Sequence, residues 1–390
     1  MKEQSPSSSA RSSGDHSGTG RGGSGPPEGH AEGAETEGAE TKRTRSKGTG
    51  GEKTGGGGNE TSLKSAFELK ENVRSEVEKR HEYWKKNGEA YHGHSTGFEK
   101  LDDIIEGISQ CGLYVLAGMP GVGKTSFASR VAFEVAREIP VVYLSFENRP
   151  VDLTWRLLSS ENSKGESGSL LEMDRLREGN VDEEEIRELL STEAFDKCLK
   201  NLHFLDGRDL EGKDGRMKEL EMVRSVIDRE VEAPSGVPEG LPRYLLVIDY
   251  LQLWAKRPDV TQDIGSSSTR FRIQKLASDL SEVARGGSVT GDKQADIEGE
   301  LAVLAVASQN RQSYDGGAQD KSNEDALQSL KGSGDVEYIA DVAMLLSGTN
   351  ASDGTGREVT LNVAKNRYGE TGEVTLNFEP KTSSWSESSS

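Results

Sequence analysis

An α/β fold, with a mostly parallel central sheet flanked by helices, is what this sequence predicts, and three observations carry the prediction. After Gly97, short runs that are apolar throughout recur along the chain. Segments with apolar residues at helical spacing separate those runs. One run, residues 113–117, leads straight into a glycine-rich turn and then a helix. Strands that are apolar on both faces belong to sheets covered by helices on each side, as parallel sheets are.

The predicted strands are 113–117, 141–145, 244–249, 302–308 and 342–346, followed by a C-terminal pair at 359–365 and 374–378. The polar stretch 161–192 and the Gly-rich stretches 285–300 and 312–322 read as connections or insertions. Ahead of the sheet, Ala66, Leu69, Val73, Val77 and Trp84 recur at helical spacing with charges between them. They predict an amphipathic helix ending near Asn87 and Gly88, where glycine suits the cap. Its apolar stripe needs a cover, from its own domain or from a neighbouring subunit. Residues 1–61 are Gly, Ser, Glu and Thr with almost nothing to bury, which predicts a disordered low-complexity tail. The organisation expected is therefore a tail (1–61), a linker helix (62–92), the α/β domain (93–385) and a short end (386–390).

The bulk numbers exclude several function classes. Only 32% of the 390 residues are apolar. No apolar run approaches the ~20 residues of a membrane span, and the N-terminus lacks the apolar stretch of a secretion signal. Cys111 and Cys198 are far apart without metal-ligand spacing, which fits a reducing, cytoplasmic setting. His92 and His94 have no nearby third ligand. The formal charge is −19, and over residues 1–61 eight Lys/Arg stand against nine Asp/Glu, so nearly all the acidity lies in the rest of the chain. An acidic outer face keeps the protein soluble, or suits a salty cytoplasm, and argues against nucleic acid bound over that face. A few Lys and Arg lining one channel remain compatible with it.

Chemistry concentrates in four segments. The first is LYVLAGMPGVGKTSFASRV, in which residues 118–125 match G-x-x-x-x-G-K-[ST] between a strand and a helix. Backbone amides of such a loop, with Gly118, Gly121 and Gly123 allowing close approach, surround phosphates at the helix N-terminus together with Ser126. Lys124 neutralises the β and γ groups of ATP, and Thr125 offers its hydroxyl to Mg²⁺. The second is YLLVIDYLQL, which brings Asp249 to a strand end where it suits the Mg²⁺ shell, unless it merely caps the strand. Position 250 is Tyr, so the carboxylate that activates water is sought in VVYLSFENRP, at Glu147. The third, LAVLAVASQN, ends in Gln309, suited to sensing a γ-phosphate or simply a polar strand terminus. The fourth, VTLNVAKNRYGETGEVTLNF, sets Lys365 and Arg367 beside a hairpin turn, either as a solvated pair or as cations inserted into another subunit's site.

Taken in order, these segments resemble the C-terminal ATPase domain of DnaB-type replicative helicases, a RecA-like P-loop NTPase. VIDYLQL is the most specific match, supported by STGFEKLDDIIEG, SFEN and SLKGSGDVEYIADVAMLL. The resemblance covers roughly residues 66–385. It implies ATP and Mg²⁺ held by Lys124, Thr125 and Asp249, with Glu147 as base, Gln309 as sensor, and Lys365 and Arg367 as fingers reaching the next subunit. It implies single-stranded DNA as partner, contacted at Lys331 and Gly334 inside a homo-oligomeric, hexameric ring. The helix 66–86 resembles the family's linker helix. The chain departs in lacking the family's globular N-terminal domain, in the loop GMPGVGKT, in the long 286–299 connection, and in SQNR, which is shorter than SQLNR. A RecA- or KaiC-like regulatory or recombination ATPase without unwinding activity is the competing reading.

Overall fold

The computed structural model describes residues 70–88, 92–163, 171–191, 193–210, 216–232, 234–235, 237, 240–256, 269–286, 300–309, 336–348 and 356–388. The tail, Lys331, Gly334 and most of the two Gly-rich stretches lie outside the described residues.

Among the described residues nine strands form one sheet: β1 (Leu113–Gly118), β2 (Val141–Ser145), β3 (Leu202–Asp206), β4 (Tyr244–Asp249), β5 (Leu301–Ser308), β6 (Val342–Gly348), β7 (Arg357–Asn366), β8 (Gly372–Glu379) and β9 (Ser384–Glu387). Their order is β3-β2-β4-β5-β1-β6-β7-β8-β9. The first six positions of that order are parallel, and β7, β8 and β9 add antiparallel to the β6 edge. β1, β2 and β4 are buried along their whole length, as their unbroken apolar sequences require.

Each face of the sheet has its own core. Tyr114 and Leu116 of β1 pack with α2 (Glu99–Ile105), α3 (Lys124–Val135), α4 (Pro150–Asn162), α5 (Met173–Glu178) and α7 (Glu193–Asn201). Leu113, Val115 and Ala117 pack on the other side with α8 (Arg216–Glu230), α9 (Leu251–Lys256) and α10 (Thr269–Ala284). Alternate residues of one strand thus feed two cores, which is why the strand cannot afford a polar position on either face.

Three features were not legible beforehand. β3 is an edge strand, LHFLD, mostly half-buried, and its short mixed pattern does not stand out. β9, SWSE, is too polar to read as a strand, yet it pairs with β8 through Phe378↔Trp385. The stretch 161–192, expected to be a connection, carries the end of α4, then α5 and α6 (Glu183–Leu190). Its sparse apolar residues Leu171, Met173 and Leu176 are buried, so short helices form by packing and not by periodicity.

The leading helix is α1 (Lys70–Asn87), with Gly88 at φ +75 after it. Val73, Val77 and Trp84 of the expected stripe are 62%, 60% and 54% exposed, and Ala66 and Leu69 lie outside the described residues. Among the described residues no helix is long and apolar enough to cross a membrane.

Candidate nucleotide site

Parallel strands end on one side of their sheet, and the ends of β4 and β5 with the loops after β1 and β2 line a cavity of about 760 Å³. Gly121 and Gly123 take φ of +82 and +108, which lets the loop after β1 fold back and present its amides at the start of α3. At Gly123 a Cβ would stand 2.7 Å from the Trp385 ring, so space and backbone both demand glycine. Gly118 ends β1 behind the loop, where a Cβ would meet the Leu346 carbonyl at 2.7 Å.

Lys124, the first residue of α3, lines the cavity and donates to the Met119 carbonyl at 2.8 Å. Burial lowers its pKa to about 8, against the pull of Asp249 and Glu147. Asp249 is fully buried at the end of β4. Burial pushes its carboxyl up to about 6 and nearby Glu147 adds to that, while hydrogen bonds from Thr125 and Tyr143 and the charge of Arg156 oppose it. Tyr143 donates to Oδ2 at 3.2 Å, but Oδ1 has no hydrogen-bond partner among the described residues. A buried carboxylate oxygen without a donor, next to a threonine hydroxyl, fits a hard cation such as Mg²⁺. No cluster of three or more His, Cys, Asp or Glu suited to a metal occurs among the described residues, so such an ion would share its ligands with phosphate and water.

Glu147 reaches the same cavity by register. Ser145 of β2 pairs with Asp249 of β4, and the Phe146 amide donates to the Asp249 carbonyl at 2.8 Å. Glu147 follows immediately and is exposed at the mouth. Gln309 adjoins from β5: it is buried, and its amide donates to the Gly118 carbonyl at 3.1 Å. The residue before it is clamped by Gln252, which donates to the Ser308 carbonyl at 2.9 Å and accepts the Ser308 amide at 3.0 Å.

The remaining expected residues sit differently. Ser126 lines the cavity, and its side chain bonds Ser383 and the Trp385 indole, which donates to it at 3.2 Å. Lys365 donates to the Tyr338 carbonyl at 2.8 Å, and Arg367 pairs with Asp341 at 2.7 Å. Both stand where β7 pairs with the first residues of β6, at the edge of the sheet opposite the cavity. Lys331 and Gly334 are outside the described residues. His94 is structural: its two ring nitrogens meet Glu138 at 2.7 Å and the Pro242 carbonyl at 2.8 Å.

Residues that sequence reasoning missed complete the cavity. Asn148 and Arg156 line the end near Glu147; Arg357, Phe378, Lys381, Asp174 and Arg177 line the other. Arg357 donates to the Gly121 carbonyl and lies over the Phe378 ring at 5.2 Å. Arg156 could have been suspected from its place on the helix after SFEN. Nothing local marks Arg357 or Phe378, because the antiparallel strands bring them back to the loop.

Residues 93–387 match the family model of the DnaB-like helicase C terminal domain. The chain is similar to a probable replicative DNA helicase of Trieres chinensis, 25% identical over 295 residues covering 74% of this chain and 55% of that protein. It is also similar to a probable plasmid replicative DNA helicase of Chlamydia muridarum, 26% identical over 318 residues covering 80% and 59%. The chain spans less than two thirds of the length of these relatives. Among solved structures, a DnaB-like replicative helicase described with its primase interactions superposes with TM-score 0.60 at 20% identity, covering 83% of this chain and 69% of that one. An isolated ATPase domain superposes with TM-score 0.57 at 20% identity, covering 82% and 99%. These superpositions show a shared RecA-like fold. This chain belongs to the DnaB-like helicase C terminal domain family.

Proposed function

We propose that this chain is an ATP hydrolase that drives movement along single-stranded DNA and opens duplexes, in replication of a chromosome or a mobile element. The observation that carries the reading is the division of the parts between two edges of the sheet. Lys124, Thr125, Glu147 and Asp249 share one cavity, whereas Lys365 and Arg367 face away from it. A β-strand advances about 3.4 Å per residue, so the ten residues of β7 separate Arg357, at the cavity, from Arg367 by roughly 30 Å. A finger in that position serves the nucleotide of another subunit, which favours a homo-oligomeric, hexameric ring.

Within one cavity the chain's groups divide the work. The loop amides at 121–123 and the α3 N-terminus hold the phosphates, and Lys124 compensates their charge. Thr125 and Asp249 would hold Mg²⁺, which when bound offsets charge on the β and γ oxygens. Glu147, exposed at the mouth, accepts the proton of the attacking water. Gln309, fixed to Gly118 and next to the Gln252 clamp, registers the loss of the γ-phosphate at the end of β5. Lys331 and Gly334 are assigned to the DNA backbone by the family resemblance.

Steady-state ATP hydrolysis with and without single-stranded DNA, over a range of KCl, tests this. Stimulation by DNA that falls with salt and is absent in Lys124→Ala supports it. Hydrolysis indifferent to DNA at every salt concentration overturns it in favour of a RecA- or KaiC-like assembly ATPase.

A further inference from the structure

At the edge opposite the cavity, one buried carboxylate is shared by two arginines. Asp341, just before β6, is fully buried. Its Oδ1 accepts from Arg285 and, at 2.7 Å, from Arg367. Its Oδ2 accepts the Leu113 amide at 3.0 Å, at the start of the strand that leads to the phosphate loop. The Arg367 amide donates to the Asp341 carbonyl at 2.9 Å, so the backbone at 367 is held whatever the side chain does. The two guanidiniums differ from their partner in exposure: Arg285 is 44% and Arg367 45% exposed, on the wall of a cleft of about 420 Å³ shared with Glu282 and Tyr338.

One cation suffices to neutralise one buried carboxylate, so of the two arginines either can leave while the other keeps Asp341 paired. A buried carboxylate stripped of every cation is strongly unfavourable, because hydrogen bonds from the Leu113 amide and the Tyr368 hydroxyl leave its charge unneutralised. With Arg285 present, Arg367 can depart while Asp341 stays paired. Without Arg285, the same departure strands a buried charge.

We propose that Asp341 and Arg285 are positioning residues for Arg367: Asp341 holds the guanidinium within its own subunit, and Arg285 keeps Asp341 paired when Arg367 swings to the phosphates of a nucleotide on a second copy of the chain. This rests on the reading of Arg367 as a residue acting between subunits.

The experiment is DNA-stimulated ATP turnover of the full chain for Arg367→Ala, Arg285→Met, Asp341→Asn and the double variant Arg285→Met/Asp341→Asn, with folding checked by circular dichroism. Arg285→Met is expected to lower kcat by roughly tenfold or more, since release of Arg367 becomes costly, with KM for ATP little changed. The double variant regains most of that kcat, because no buried charge is left to strand. A wild-type kcat for Arg285→Met overturns the inference, with Arg367→Ala still inactive and the finger reading intact. So does a low kcat that the double variant fails to restore, which would mean Arg285 acts on phosphate itself. Wild-type turnover in Arg367→Ala removes the finger reading and this inference with it. Should Asp341→Asn not fold, Arg285→Lys decides: it must retain the kcat that Arg285→Met loses, whereas a structural tie would shift only the melting midpoint.

Discussion

The parallel and antiparallel halves of the sheet use the same ladder to opposite ends. In the parallel half β1, β2, β4 and β5 all finish on one side, so residues far apart in sequence, Lys124, Glu147, Asp249 and Gln309, converge within one chain. In the antiparallel half successive strands finish on opposite sides. β7 begins at the cavity with Arg357 and ends at the far edge beside Lys365 and Arg367. β8 then returns, and the turn into β9 brings Phe378, Ser383 and Trp385 against the phosphate loop. Parallel pairing concentrates a site; antiparallel pairing distributes residues between that site and the opposite end of the sheet.

Substitutions on the two halves should separate accordingly. The largest effect is expected in the parallel half, where Lys124→Ala removes the cation facing the phosphates; turnover falls below detection in a coupled phosphate-release assay. Under the proposed finger role, Arg367→Ala, at the far edge, lowers kcat by about 10³-fold, the effect of losing an arginine finger, with nucleotide affinity unchanged by fluorescence titration. Mixing these two inactive variants restores part of the hydrolysis, because an intact cavity can then meet an intact finger. No recovery in rings shown to exchange subunits would break the comparison.

Glu147→Gln, also in the parallel half, lowers kcat by about 10²-fold or more while ATP still binds, as loss of a general base does. Mixing it with Arg367→Ala, whose cavities are intact, should likewise restore part of the turnover, and the dependence on mixing ratio is a second check. Trp385→Ala removes a ring that stacks on Phe378 at 4.3 Å and donates to Ser126. It should destabilise by about 3 kcal/mol, read as a lower melting midpoint. Gly123→Ala forces φ +108 on an alanine and drives its Cβ into that ring. A cost of roughly 1–3 kcal/mol is expected in thermal melts, and Trp385→Ala should absorb part of it because the clash disappears.

Much of the parallel half was readable from the chain. The glycine loop and the strands ending at Asp249 and Ser308 are local patterns, and local patterns survive in sequence. Glu147 was recoverable because it follows a strand end, where any side chain faces the ligand side of the sheet. The antiparallel half was readable only as a hairpin. Its return to the loop depends on the polar strand β9 and on Phe378 and Arg357, whose spacing resembles any exposed strand pair. Ser126, a motif position at the cavity wall, also bonds Ser383 and Trp385, a contact no local pattern announces.

By itself the sequence determined the phosphate loop, the acid at the end of β4 and the α/β class, because each rests on neighbouring residues and on apolar periodicity. Strand order, the meeting of Ser145 with Asp249, the Gln252 clamp on Ser308, and the sharing of Asp341 by Arg285 and Arg367 were decided by tertiary structure alone. The physical reason is separation along the chain. A hydrogen bond or ion pair between residues far apart in the chain leaves no periodicity to detect, and burial that makes Asp341 depend on its partners exists only once the sheet and its two cores have formed.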